Sequence, residues 1–167
     1  LTNQLIAALD QENIMTTNNE APIPDNLKDN LGFLLNKAAR LMRDAVSDGL
    51  KPLSLSFQEY VILRMIENQA SETQQELAIR NGIDRTSMVD IVDRLEEREL
   101  LIRHKDENDR RKYQLLITPK GRKTLTHAKR ITEKVQKTLL QPLSELELKT
   151  TKEALSKLIK TQLSENF

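Results

Sequence analysis

The sequence predicts a mainly α protein: a winged helix-turn-helix with long N- and C-terminal dimerisation helices and a two-stranded β wing. Three observations lead there. Two short helical patterns, TQQELAIRNG and DRTSMVDIVDRLEE, follow each other almost without a linker; helices joined so tightly can cross steeply, one bracing while the other lies in a groove. Two short apolar runs then flank the polar stretch DENDRR, the pattern of a hairpin with an exposed tip. Both ends of the chain also carry apolar residues at helical spacing over longer stretches than the centre does.

The 167 residues allow one domain with a substantial core, or a small domain plus an interaction element. A hydrophobic share of 38% and a charged share of 31%, with few aromatics, describe a helical globular chain rather than a disordered one. The absence of cysteine excludes disulfides, thiolate zinc sites and thiol redox switches, and leaves only methionine oxidation. Apolar runs are a few residues long and the N-terminus lacks the basic-then-apolar order of a secretory signal. No membrane span is therefore expected, and a cytoplasmic location follows by default.

Residues 1–25 are expected to be an N-terminal extension and linker, with a short stripe in Leu5, Ile6 and Leu9 followed by TTNNEAPIPDN and its two prolines. Position 1 is leucine, which leaves open whether residues 1–14 are native and whether Met15 is the start. Residues 26–50 form the first dimerisation helix, with Leu31, Leu34, Leu35, Ala38, Leu41, Met42 and Ala45 on one face and Gly49 near its end.

Residues 51–121 form the winged helix-turn-helix domain. Pro52 marks a linker, and Ser56 and Glu59 make a capping box with Leu55 and Tyr60 at staple positions. Val61, Ile62, Met65 and Ile66 are expected to be buried behind it. Thr73 and Glu76 make a second box, Leu77 and Ala78 the apolar face, and Asn81-Gly82 the stop. The next helix opens at Asp84 and buries Met88, Ile91, Val92 and Leu95, leaving Thr86, Asp90, Asp93 and Glu97 on the far side. Strands over residues 100–105 and 112–118 make the wing.

Residues 122–167 supply the C-terminal dimerisation helices. Thr118-Pro119 reads as cap plus first helical residue, and Leu125, Ala128, Ile131, Val135 and Leu139 carry a helix to Pro142. Ser144 and Glu147 box a last helix with Leu148, Leu155, Leu158, Ile159 and Leu163 along one side. The stripes of the first and last helices lie too far from the wing to complete its core and need another partner. A second copy would bury them and set two reading helices about one DNA turn apart; packing of the terminal helices on each other is the alternative.

Charge is distributed unevenly. Residues 101–134 hold eleven Lys and Arg against four Asp and Glu, a net +7 in a chain whose total is +1, while residues 1–30 set five acids against Lys28 alone. Such asymmetry suits a polyanion, because each neutralised phosphate releases condensed counterions; a solvated basic face is the plainer reading. Arg85, Thr86 and Ser87 occupy the first turn of the second short helix, where outward N–H groups meet phosphates and base edges. An enzyme is not expected: His104 and His127 have neither metal-ligand spacing nor a nucleophile beside them. His104 lies in the first wing strand, where phosphate contact or plain exposure fits better. No cofactor or metal is expected.

These residues resemble the MarR (multiple antibiotic resistance regulator) family of bacterial transcription factors over residues 31–163. The resemblance rests on Glu76-Leu77-Ala78, on Val92-Asp93-Arg94-Leu95-Glu96, on Leu100-Leu101-Ile102-Arg103, on the wing sequence from Asp106 to Arg111, and on Ile117-Thr118-Pro119-Lys120-Gly121. It implies a homodimer that binds pseudo-palindromic promoter DNA, usually as a repressor, often released by a small aromatic or anionic effector. The residues expected at double-stranded DNA are Thr73, Gln74, Arg85, Thr86, Ser87, Asp90 and Arg94 from the helices, with Arg103, Lys105, Asn108, Asp109, Arg110, Arg111 and Lys112 from the wing.

In the family a wing arginine enters the minor groove, so Arg110 or Arg111 should do so here while the other helps Asp109 shape the tip. A narrow A·T-rich groove would favour that arginine through its more negative potential. Family analogy also places an effector pocket where the first long helix, the helix over residues 56–67 and the helix after the wing meet. Phe33, Met42, Tyr60 and Met65 are its candidates, at a spacing that suits ordinary core equally well.

Two positions depart from the family pattern. Val89-Asp90 stands where many members have Thr-Arg; an aspartate there repels phosphate but can accept a hydrogen bond from cytosine N4, or simply pair with Arg94. Glu99 stands where many members have glycine, and must either adopt a left-handed conformation or avoid it. The competing function is a winged module that binds protein and reads no promoter DNA, against which the basic wing is the discriminating feature.

Overall fold

The computed structural model of the protein describes residues 22–67, 73–105 and 113–164, with side chains to residue 161. The stripe expected at Leu5, Ile6 and Leu9, and the side chain of Leu163, lie outside the described residues.

Each helix begins where a side chain replaces the partners that its first N–H groups lack. Asn30 accepts from the Phe33 backbone N–H at 2.8 Å and opens α1 (Leu31–Leu50). Ser56 and Glu59 bond each other's backbone N–H groups to open α2 (Phe57–Ile66), and Thr73 and Glu76 do the same for α3 (Gln74–Asn81). Gly82 ends α3 at φ +60°, a left-handed geometry that glycine adopts without steric strain. Asp84 opens α4 (Arg85–Glu97), Thr118 with Pro119 behind it opens α5 (Pro119–Leu139), and Ser144 with Glu147 opens α6 (Glu145–Ser164).

Between α4 and α5, β1 (Leu101–Lys105) and β2 (Tyr113–Ile117) pair antiparallel, with Leu101 opposite Ile117 and Lys105 opposite Tyr113. An isolated bridge from Thr73 to Gln114 ties the start of α3 to the wing. The alternation is that of a half-buried ribbon: Leu101, Leu115 and Ile117 face inward while Ile102 and His104 are exposed.

One core unites these elements. It runs from Val46 and Leu50 of α1 through Ile62 and Leu63 of α2, Leu77 of α3, Met88, Val92 and Leu95 of α4 and Leu101 and Leu115 of the wing to Leu125 and Ala128 of α5. Two expectations are corrected here. The first long helix is not remote from the winged core, because its last turns are part of it. The buried stripe of α2 is Glu59, Ile62, Leu63 and Ile66, whereas Val61 and Met65 are half-buried. Those four positions follow helical spacing, but a glutamate at the first of them hid the register.

The terminal stripes do not cover one another. Leu31 is 67% exposed on α1, and Leu146 is 73%, Leu158 52% and Ile159 58% exposed on α6. None of the described side chains of α6 is buried. Among the described residues no helix is long and apolar enough to cross a membrane.

Candidate nucleic-acid interface

The outer side of α4 follows from its buried side. With Met88, Ile91, Val92 and Leu95 turned into the core, Arg85, Thr86, Asp90 and Glu97 are exposed. Arg85 and Thr86 lie in the first turn, and their side chains have no partner among the described residues. Ser87 is committed to the cap: its hydroxyl donates to Asp84 Oδ2 at 2.6 Å and its backbone N–H to Oδ1 at 2.9 Å. These two bonds hold the Asp84 carboxyl below the usual carboxylate range, so the cap remains an anion at neutral pH. Thr73 is likewise a cap, donating its hydroxyl to Glu76 Oε2 at 2.9 Å.

Arg103, expected at DNA, is enclosed by protein instead. Its side chain is 20% exposed, with Nη1 donating to Glu96 Oε2 at 2.5 Å, Nη2 to Asp93, and Nε to Gln74 Oε1 at 3.4 Å. Burial works against its charge, but the bonds to Asp93 and Glu96 outweigh that and raise its pKa. The Arg103 backbone N–H also donates to Glu96 Oε1 at 3.0 Å, so this residue fastens the first wing strand to α4. Charge alone could not separate a cation facing its own carboxylates from one facing solvent. Gln74, its third partner, is drawn into the same joint.

Arg94 is also turned away from its helical neighbours. Its Nε donates to Glu59 Oε1 at 3.0 Å, not to Asp90. Glu59 is 4% exposed and accepts from the Ser56 backbone N–H at 2.9 Å through its other oxygen. Arg98 approaches that oxygen at 3.5 Å and donates to the Ser54 and Leu53 carbonyls at 2.6 and 2.9 Å. Glu59 and Arg98 therefore join α4 to the turn between α1 and α2, a role that sequence spacing did not reveal because the partners lie some forty positions apart.

Lys105 and His104 are exposed at the outer end of β1. Asn108, Asp109, Arg110, Arg111 and Lys112 lie outside the described residues. Glu99 adopts the left-handed conformation, at φ +59°. Its carboxylate accepts from Lys120 Nζ at 2.8 Å, which holds its pKa below the usual range.

The four residues considered for an effector pocket do different work. Thr132 donates to the Lys129 carbonyl at 3.0 Å, so the Tyr60 hydroxyl donates to Thr132 Oγ1, also at 3.0 Å. Met65 Sδ accepts from Asn81 Nδ2 at 2.8 Å. Tyr60 and Met65 pack against the core, while Phe33 and Met42 are half-buried on α1 and are not part of that core.

Residues 55–113 match the family model described as MarR family. Over those residues the chain is similar to the MarR family. A curated Thauera aromatica protein named for transcriptional regulation of the hcr operon is 40% identical over 62 residues. That match spans 37% of this chain and only 37% of the relative's length. The MarR-type architecture extends further than the sequence match. CouR from Rhodococcus jostii RHA1, solved bound to p-coumaroyl-CoA, superposes with a TM-score of 0.71 at 28% identity, covering 81% of this chain and 95% of that one. A mutant MarR from E. coli complexed with operator DNA superposes with a TM-score of 0.70 at 22% identity, covering 77% and 92%; at that identity the likeness is one of fold.

Proposed function

We propose that this chain is a DNA-binding transcriptional regulator that grips a pseudo-palindromic promoter site as a homodimer. The observation that carries the reading is the first turn of α4, where Arg85 and Thr86 stand exposed and unpaired among the described residues. The sequence adds a net charge of +7 over residues 101–134. Such a turn presents its exposed side chains to base edges while basic flanks neutralise phosphates. The fold shared with a MarR solved on operator DNA supports the same reading. The exposed apolar stripes of α1 and α6 support a second copy as the partner that covers them. Within this reading Lys105 contacts phosphate and either Arg110 or Arg111 enters the minor groove. Regulation is repression, relieved by a small aromatic or anionic effector; the p-coumaroyl-CoA held by CouR supports that ligand class.

Titration of a random-sequence duplex by fluorescence anisotropy from 50 to 200 mM salt tests the reading, over a range in which phosphate contacts lose affinity by roughly 10³-fold or more. A steep linear fall in log K is expected, with a shallower slope for the Arg110→Ala, Arg111→Ala pair. No retention at the lowest salt would favour the protein-binding module instead.

A further inference from the structure

We infer that Asp90 selects cytosine at one position of each half-site, an inference that rests on the DNA-binding reading above. Asp90 is exposed one helical turn after Thr86, on the outward side of α4, and its carboxylate has no partner among the described residues. Arg94, four positions along, would ordinarily neutralise it across one turn. That arginine is held by Glu59, a buried acid with both oxygens occupied. The carboxylate is thereby kept bare in the part of the helix that enters the groove.

An unpaired carboxylate between phosphate walls is repelled unless it meets a hydrogen-bond donor. In the major groove only the amino groups of cytosine and adenine donate. Adenine sets the N7 lone pair beside its amino group, which opposes a second carboxylate oxygen; cytosine sets its C5–H there and raises no such opposition. The same charge weakens attraction to any duplex lacking the matching cytosine, so one side chain both rewards the correct base and suppresses general binding.

The test is selection of binding sites from a randomised duplex pool by the full chain, followed by single-base substitution of the preferred site. The unaltered protein should prefer cytosine at one position per half-site by about tenfold. Asp90→Ala should lose that preference alone and bind random DNA at least as tightly. Asp90→Asn should shift the preference toward adenine, whose amino group and N7 suit an amide. Glu97→Ala, which removes an exposed acid farther along the same face, should alter no base preference. Identical preferences for the unaltered protein and Asp90→Ala would overturn the inference, as would an equal effect of Glu97→Ala. Failure of the unaltered protein to bind any duplex at low salt would remove the DNA-binding reading and this inference together.

Discussion

At Gly121 the chain has no room for a side chain. A Cβ there would lie 1.9 Å from the Leu100 carbonyl oxygen and 2.9 Å from the Ile117 side chain, because the first turn of α5 is pressed against the start of the wing. Thr118 reinforces the approach, its backbone N–H donating to the same carbonyl at 3.1 Å. Gly121→Ala should therefore destabilise the fold by about 3 kcal/mol; a urea midpoint equal to that of the unaltered protein would contradict this. The glycine was readable as the end of a recurring motif, but its reason was not, since the opposing carbonyl lies twenty-one positions earlier. Glu99 shows the same limit. Its departure from glycine was visible, whereas the left-handed conformation it adopts goes with helix-ending bonds from Glu99 N–H to the Glu96 carbonyl and from Leu100 N–H to the Leu95 carbonyl, both at 2.8 Å, and with the distant Thr118 hydroxyl donating to the Glu99 carbonyl at 2.7 Å.

At the scale of elements, Arg103 adds a polar clasp to the apolar core that the wing shares with α4. Removing the Arg103 guanidinium leaves Asp93 and Glu96 facing each other, with the Gln74 contact gone as well. Arg103→Ala should lower stability by about 2 kcal/mol, less than for a fully buried pair because both carboxylates are partly solvated. Amide exchange in β1 and β2 should quicken more than in α5, and a uniform change across all elements would argue against a local clasp. Caps, stops and strand pairing were readable from sequence because each depends on residues a few positions apart. The α2 register was not, because its first inward position is charged and the arginines that help make burial of Glu59 tolerable, Arg94 and Arg98, are distant in sequence.

For the whole molecule, the winged centre is complete within one chain while the outer helices are not. The apolar spacing of α6 was plain in the sequence, and Leu146, Leu158 and Ile159 stand exposed along it, the surface to which the proposed second copy is assigned. Replacing Leu158 and Ile159 together by lysine should convert a dimer to a monomer of unchanged helicity in sedimentation and circular dichroism. A variant that still sediments as a dimer would move the contact elsewhere. α1 was only half readable: its periodicity was clear, but nothing local indicated that Val46 and Leu50 would enter the winged core while Leu31 stayed outside it.

That divided helix has a mechanical consequence. Its inner end lies in the shared core, where Gly49 comes close to Ile131 and Val135 of α5, and just beyond it Arg98 grips the Leu53 and Ser54 carbonyls from the far end of α4. Rod and probe are thus linked through the shared core and through the Arg98 clasp. In a pair of such chains, a tilt imposed on the outer rods would reach the probes by way of that core and that clasp, and the gap between them would change with it.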